Sequence, residues 1–175
     1  GEALATQADA HKVDRIAVMY SSSPYDQALG SAAAARFEKA YRKEVALQVE
    51  LNPQAQSYAR EISAAIDAGV TNVILATSPR AGALFVNEFD ALSGEKPQWF
   101  LSPLLKTDLL VQNVAPAALE GSLGVAPKIY EKEGGFPEAF SMRWEGDRPL
   151  EGAYFYYDAM ALLAVAMAKQ ANDDN

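Results

Sequence analysis

The sequence predicts an α/β protein: a three-layer, doubly wound, mainly parallel sheet of about five strands. Three observations carry that expectation. Short continuous apolar runs, "RIAVMY" (15–20) and "NVILATS" (72–78), suit strands buried on both faces. Between them lie longer segments with apolar residues at helical spacing. Turn residues punctuate the changeovers, as at "SSSP", "NPQ" and the glycines 69 and 94. Strands alternating with helices require right-handed crossovers, and such crossovers lay helices on both faces of a parallel sheet.

Taken in order, "GEALATQADAHK" reads as a surface helix entered part-way, which suggests a piece of a longer precursor. "RIAVMY" is the first strand, and "SSSPYDQALGSAAAARFEKAYRKE" the first long helix, with Ser22 or Ser23 as its cap and Pro24 in its first turn. "VALQVEL" (45–51) alternates as a strand. "NPQAQSYAREISAAIDAG" is punctuated as a helix, with Ile62 and Ile66 on one face and a stop at Gly69. "NVILATS" is the next strand, "PRAGALFVNEFDALSG" the next helix, and "PQWFLS" (97–102) the fourth strand. "TDLLVQNVAPAALEG" reads as one short helix or a pair of helical turns, and "GSLGVAP" (121–127) as a fifth strand or a crossing segment. The character then changes. Residues 128–150 are rich in charge, Gly and Pro, with Phe136, Phe140 and Trp144 at helical spacing. "AYFYYDAMALLAVAMAKQ" (153–170) is apolar on nearly all sides, so such a helix wants burial against something large. "ANDDN" is a polar tail. The division expected is therefore an α/β lobe over 1–127 and a helical segment over 128–175.

Composition narrows the chemistry. The chain has 175 residues, half of them hydrophobic and 22% charged, as expected of one well-buried domain. A net charge of -8 argues against a nucleic-acid surface, which needs clustered cations. Arg36, Lys39, Arg42 and Lys43 read instead as a solvated helix face. With no cysteine, thiolate chemistry, Cys-based zinc sites and disulfides drop out. No apolar run reaches membrane-spanning length, and the first residues lack the pattern of a signal peptide.

In a doubly wound sheet, functional groups gather beyond the carboxyl ends of the strands. Those ends hold Ser21–Tyr25, Thr77–Arg80 and Ser102–Leu104. A serine nucleophile there needs a base, yet the one histidine, His11, precedes the amino end of the first strand, and no G-x-S-x-G elbow is present. A phosphate cradle needs glycines, and none follows the first strand before Gly30. A helix N-terminus can still attract a small anion. The acids are dispersed singly, which disfavours a metal site, and "NDDN" reads as a solvated terminus. A phospho-acceptor receiver would need acids where Tyr20-Ser21 and Thr77-Ser78 stand. What remains is a cleft of hydroxyls, aromatics and backbone donors, suited to binding.

"VDRIAVMYSSSPYDQALGSAAAARFEKA" resembles the opening of the second lobe of type I periplasmic solute-binding proteins, the branched-chain amino-acid-binding family of ABC importers. The likeness runs on through "LNPQAQSYAREISAAIDAGVTNVILATSPRAGALFVNEF", "WFLSP", "ALEGSLGVAP" and "FPEAFSMRWEGDRPLEGAYFYYDAMALLAVAMA". It covers nearly the whole chain after about residue 12, carried by the order of motifs rather than by any single one. The resemblance implies two lobes with the ligand clamped between them. Here the first helix would cross from a missing lobe, the segment after Pro127 would cross back, and the 153–170 helix would belong in that other lobe. The helix then has three places to pack: this lobe, a second copy of the chain as a homodimer, or an absent portion.

Carried over position by position, the resemblance makes Tyr25 the loop ring that walls the ligand, with Ser23 beside it. Thr77, Ser78 and Arg80 are the contacts after the third strand, and Ser102 the contact after the fourth. No cofactor is implied. The implied partners are a small ligand (an amino acid or related carboxylate) and an ABC permease. The implied setting is periplasmic, with an export signal or lipid anchor lying outside this sequence. Two departures stand out. The family's acid after the fourth strand, which pairs with a ligand ammonium, is missing from "LSPLL", and Asp26 replaces the glycine after the tyrosine. Asp26 is either a substitute anion or a first-turn acid serving the helix dipole. The competing expectation is a solute-binding-like sensor or protein-interaction module with no small ligand.

Overall fold

The computed structural model describes residues 1–127, 135–146, 149 and 151–173. The chain forms two units, Gly1–Ala126 and Pro127–Asn175.

In the first unit five parallel strands run in the order β2-β1-β3-β4-β5: β1 (Arg15–Ser21), β2 (Glu44–Leu51), β3 (Asn72–Ala76), β4 (Gln98–Leu101) and β5 (Leu123–Gly124). The doubly wound parallel sheet expected from the sequence is thus present. Alternation along each strand builds two cores. Ala17, Met19, Val73, Leu75 and Trp99 face α3 (Ala59–Asp67) and α4 (Pro79–Ser93). Val18, Ile74 and Phe100 face the opposite layer, α1 (Glu2–Ala10) and α2 (Pro24–Lys39). Trp99 anchors the first core: it is 1% exposed, meets Phe85 and Phe89 edge-on, and donates its indole N–H to the Ala118 carbonyl at 3.0 Å.

Several elements differ from the sequence reading. The first helix is not simply a wet surface, because Leu4, Ala5 and Ala8 are fully buried against the α2 side. The basic run is not one helix face. Helix α2 ends at Lys39, its cap is Ala40, and Arg42 and Lys43 lie beyond it. Lys43 pairs with Asp9 at 3.0 Å and Asp14 at 3.5 Å, so it ties the end of α1 to the turn before β2. Helix α3 starts at Ala59 rather than near Pro53, since Tyr58 is its cap and Asn52 Oδ1 accepts the Gln54 N–H in a local turn. Its buried face is Ile62 and Ala65, while Ile66 is exposed. "NVILATS" and "PQWFLS" lose their last residues to helix caps. The stretch 107–120 resolves into two short helices, α5 (Asp108–Asn113) and α6 (Pro116–Leu119).

The second unit contains α7 (Phe136–Arg143) and α8 (Glu151–Asp173). Phe136 stacks on Tyr157 with centroids 4.4 Å apart and meets Tyr154 edge-on at 5.4 Å. From 155 to 170 the side chains of α8 are exposed. The crossing segment expected after Pro127 falls largely on 128–134, outside the described residues.

Candidate functional site at the carboxyl edge of the sheet

Chain order and sheet order disagree at one place. β1 leads to β2 on one side, and the chain then returns across β1 to place β3 on the other. Helix α2 leaves β1 towards one face of the sheet and α4 leaves β3 towards the other, which opens a crevice between them at the carboxyl edge. The register sets Tyr20 beside Ala76 and Leu75 beside Leu101. The turns that follow therefore stand side by side along this edge.

Each of the three turns is a Ser-Pro pair: Ser23-Pro24, Ser78-Pro79 and Ser102-Pro103. Proline restricts the residue before it to extended backbone and fits the first helical turn, so the pair is a compact strand-to-helix switch. All three serines are extended, with ψ between 143° and 161°. Their hydroxyls nevertheless do different things. Ser23 Oγ accepts the Asp26 N–H at 3.1 Å and Ser78 Oγ accepts the Ala81 N–H at 3.5 Å, both ordinary helix caps. Ser102 opens only a 3-10 turn, Pro103–Leu105, and caps nothing.

At the end of β1, Asp26 is 2% exposed. Its Oδ2 accepts hydrogen bonds from the Ser21 hydroxyl at 2.5 Å and the Ser23 hydroxyl at 2.7 Å. Its Oδ1 is buried with no hydrogen-bond partner among the described residues. The aspartate thus joins the strand end to the helix cap. It stands in the first turn of α2, where the helix dipole favours a negative charge. Next to it Tyr25 points outward, 52% exposed. Gly30 brings the same helix down onto the strand, because a Cβ there would lie 2.5 Å from the Tyr20 ring.

At the end of β3, Thr77 is fully buried, and its hydroxyl has no partner among the described residues. Arg80 is exposed. It lines two shallow hollows, one with Pro53–Gln56 and one with Asn87, Leu109 and Asn113, and Tyr25 borders neither.

At the end of β4, Ser102 is 1% exposed, and its hydroxyl too has no partner among the described residues. It lines a cavity of about 360 Å³ shared with Lys106, Ser122 and aliphatic side chains of β4 and β5. The Ser122 hydroxyl is likewise buried and unpartnered among the described residues.

Of the residues singled out from the sequence, Ser23 is bonded into the Asp26 cluster and Ser78 is committed to capping α4. Tyr25, Thr77, Arg80 and Ser102 all stand at the carboxyl edge. Sequence reasoning missed Lys106 and Ser122. Neither carries a motif, and Ser122 reaches the cavity only because β5 pairs with β4 in parallel. His11 sits just past α1, with Gln7 Nε2 3.4 Å from its Nε2, and no serine among its hydrogen-bond partners. Among the described residues no group of three or more His, Cys, Asp or Glu side chains could hold a metal ion, and no helix is long and apolar enough to cross a membrane.

Comparison with known proteins agrees with this architecture. The sequence profile of the family described as "Periplasmic binding protein" matches residues 1–175. No curated protein matches. Among solved structures, a leucine binding protein from Thermotoga maritima superposes with a TM-score of 0.79 at 19% identity, over 96% of this chain and 49% of that one. A branched-chain amino acid ABC transporter protein from Rhodospirillum rubrum gives 0.75 at 20% identity, over 95% and 48%. A fatty acid ABC transporter substrate-binding protein from Thermomonospora curvata gives 0.55 at 17%, over 69% and 32%. The chain thus spans about half the length of the first two structures, 48% and 49%, and at these identities the likeness concerns the fold. With its profile matched from end to end, the chain belongs to the periplasmic binding protein family.

Proposed function

We propose that the chain is the ligand-binding lobe of an exported solute-binding protein of an ABC importer, taking a small polar, amino-acid-like solute without catalysing its reaction. The observation that carries this reading is the edge itself. Three strand ends at and beside a topological switch point carry Tyr25, Thr77 and Ser102, with no histidine base beside the serines. In this reading residues 1–127 form one jaw and 128–175 return to the other. Closure of the two jaws, rather than bond chemistry, is the working step. The protein works outside the cytoplasm and delivers to an ABC permease. Two structural neighbours, a leucine binding protein and a branched-chain amino acid ABC transporter protein, support an amino acid or related carboxylate as the solute class.

A second reading, a sensor or protein-interaction module with no small ligand, is favoured by the exposed apolar coat of α8. That helix would then join a second copy of the chain.

Thermal shift of the intact protein against amino acids and small carboxylates separates the two. The transport reading expects stabilisation by at least one compound, whereas no shift together with capture of a protein partner favours the module. Tyr25→Ala should weaken the binding of whichever compound shifts the protein by roughly ten-fold. Its unfolding midpoint should hardly move, because the ring is 52% exposed. Unchanged affinity would remove Tyr25 from the site.

A further inference from the structure

Among the described residues Asp26 is the only charged side chain that is buried. A charge taken out of water is ordinarily paired, yet Asp26 makes no ion pair among the described residues. The α2 dipole and the hydroxyls of Ser21 and Ser23 offset part of that charge, but both hydroxyls bind the same oxygen, Oδ2. Oδ1 is left without a donor among the described residues. Tyr20 pairs with Ala76, so the next residues, Ser21 and Thr77, are neighbours on one face of the sheet at its carboxyl edge. The Asp26 carboxylate is held by Ser21, and the hydroxyl of the neighbouring Thr77 is fully buried and also unpartnered among the described residues. Two adjacent strand ends thus carry polar atoms that are buried and unmatched, a condition buried polar groups ordinarily avoid. A carboxylate oxygen only accepts, and a hydroxyl accepts as well as donates. A donor with positive charge satisfies both.

We propose that Asp26 and Thr77 receive a primary ammonium group of the solute. Asp26 Oδ1 supplies the countercharge, and Thr77 Oγ1 accepts a second ammonium hydrogen. Oδ1 is covered as it stands, so entry shifts the turn 22–25, where Ser22, Pro24 and Tyr25 are exposed. The Tyr25 ring on that turn is the one available to the solute's hydrocarbon. A net charge of -8 favours the approach of a cation. The inference rests on the solute-binding reading above and narrows its solute class. Solutes that bear an amine, amino acids among them, are taken, and simple carboxylates are not.

The test is calorimetric titration of the intact protein with leucine, 3-methylbutylamine and isocaproate, which carry a similar branched hydrocarbon and differ in their charged groups. Leucine should bind, and isocaproate, which lacks only the ammonium, should bind about ten-fold or more weakly. Asp26→Asn removes the charge and keeps a side-chain acceptor for Ser21 and Ser23. It should weaken leucine and the amine by about 10- to 100-fold and leave isocaproate as it was. Thr77→Val keeps the side-chain shape without the hydroxyl and should weaken leucine several-fold. A purely structural Asp26 would move all three compounds together or none, and either result would overturn the assignment. So would isocaproate binding as tightly as leucine. Should Asp26→Asn not fold, the ratio of leucine to isocaproate affinity and the Thr77→Val variant still decide. If another solute binds and neither leucine nor the amine does, the inference fails while the solute-binding reading stands; if nothing binds, both fail.

Discussion

Helices α4 and α8 are both rich in alanine, leucine and aromatic residues, yet they end in opposite environments. In α4 the large apolar groups fall on one stripe, with Phe85, Val86 and Phe89 buried while Arg80, Asn87 and Asp90 meet water. In α8 there is no stripe. Phe155, Tyr156, Tyr157, Met160, Leu162, Leu163, Val165 and Met167 are spread around the circumference, and all are exposed. A one-sided helix needs a single surface, and the sheet supplies it. An all-sided helix needs several neighbours. The pattern of a helix therefore reports how many surfaces it is suited to meet.

The sharpest way to break this comparison is to truncate the residue on which α4 packs. Trp99→Ala should cost about 3–5 kcal/mol, because it opens a cavity among Phe85 and Phe89 and abandons the Ala118 carbonyl. Urea unfolding followed by circular dichroism measures it. A loss under about 1 kcal/mol would mean that the α4 side collapses freely and is no more specified than α8.

A smaller effect is expected where packing meets polar chemistry. Asp26→Ala leaves Ser21 and Ser23 without their acceptor but also relieves the burial of a charge. The two oppose each other, so the net loss should be about 1–2 kcal/mol in the same unfolding experiment. If stability rises instead, the carboxylate is held at a cost, which would fit a group kept for a ligand.

The fold was legible because its signals are local. Apolar runs gave the strands, and Ser-Pro pairs and glycines gave the helix limits: Ser23, Ser78 and Gly94 stand at the α2 and α4 boundaries. The edge of the sheet was legible for the same reason, since it follows from strand order. What the sequence could not reveal depends on contacts between distant segments. Asp26 reads as a substitute anion for the ligand or as a first-turn acid, and only the approach of Ser21 makes it a buried acceptor. Ser102 reads as the end of the fourth strand and a ligand contact, and its idle hydroxyl is visible only once the following turn proves to be too short a helix to use it. Helix α1 reads as wet because three small or aliphatic residues, Leu4, Ala5 and Ala8, make a weak stripe. Their burial depends on α2, whose own small residues, Ala33 and Ala34, let the helices approach.

The smallest effect should come from α8 itself, and it sharpens the comparison most. Leu162→Lys with Val165→Lys puts two charges on side chains that are 72% and 68% exposed. Substitutions on an exposed surface typically move stability by no more than about 0.5 kcal/mol, and lysine is also a good helix former. The urea midpoint of the α/β unit should therefore stay where it is, in contrast to Trp99→Ala. Sedimentation velocity should meanwhile show less self-association, because a contiguous apolar surface of this kind is adhesive in water. A loss of stability rivalling that of Trp99→Ala would mean that α8 is buried in solution. The difference between the two helices would then be one of partner rather than of pattern. An unchanged midpoint with reduced association would mean that the coat of α8 contributes to contacts between molecules and not to the folding of the α/β unit.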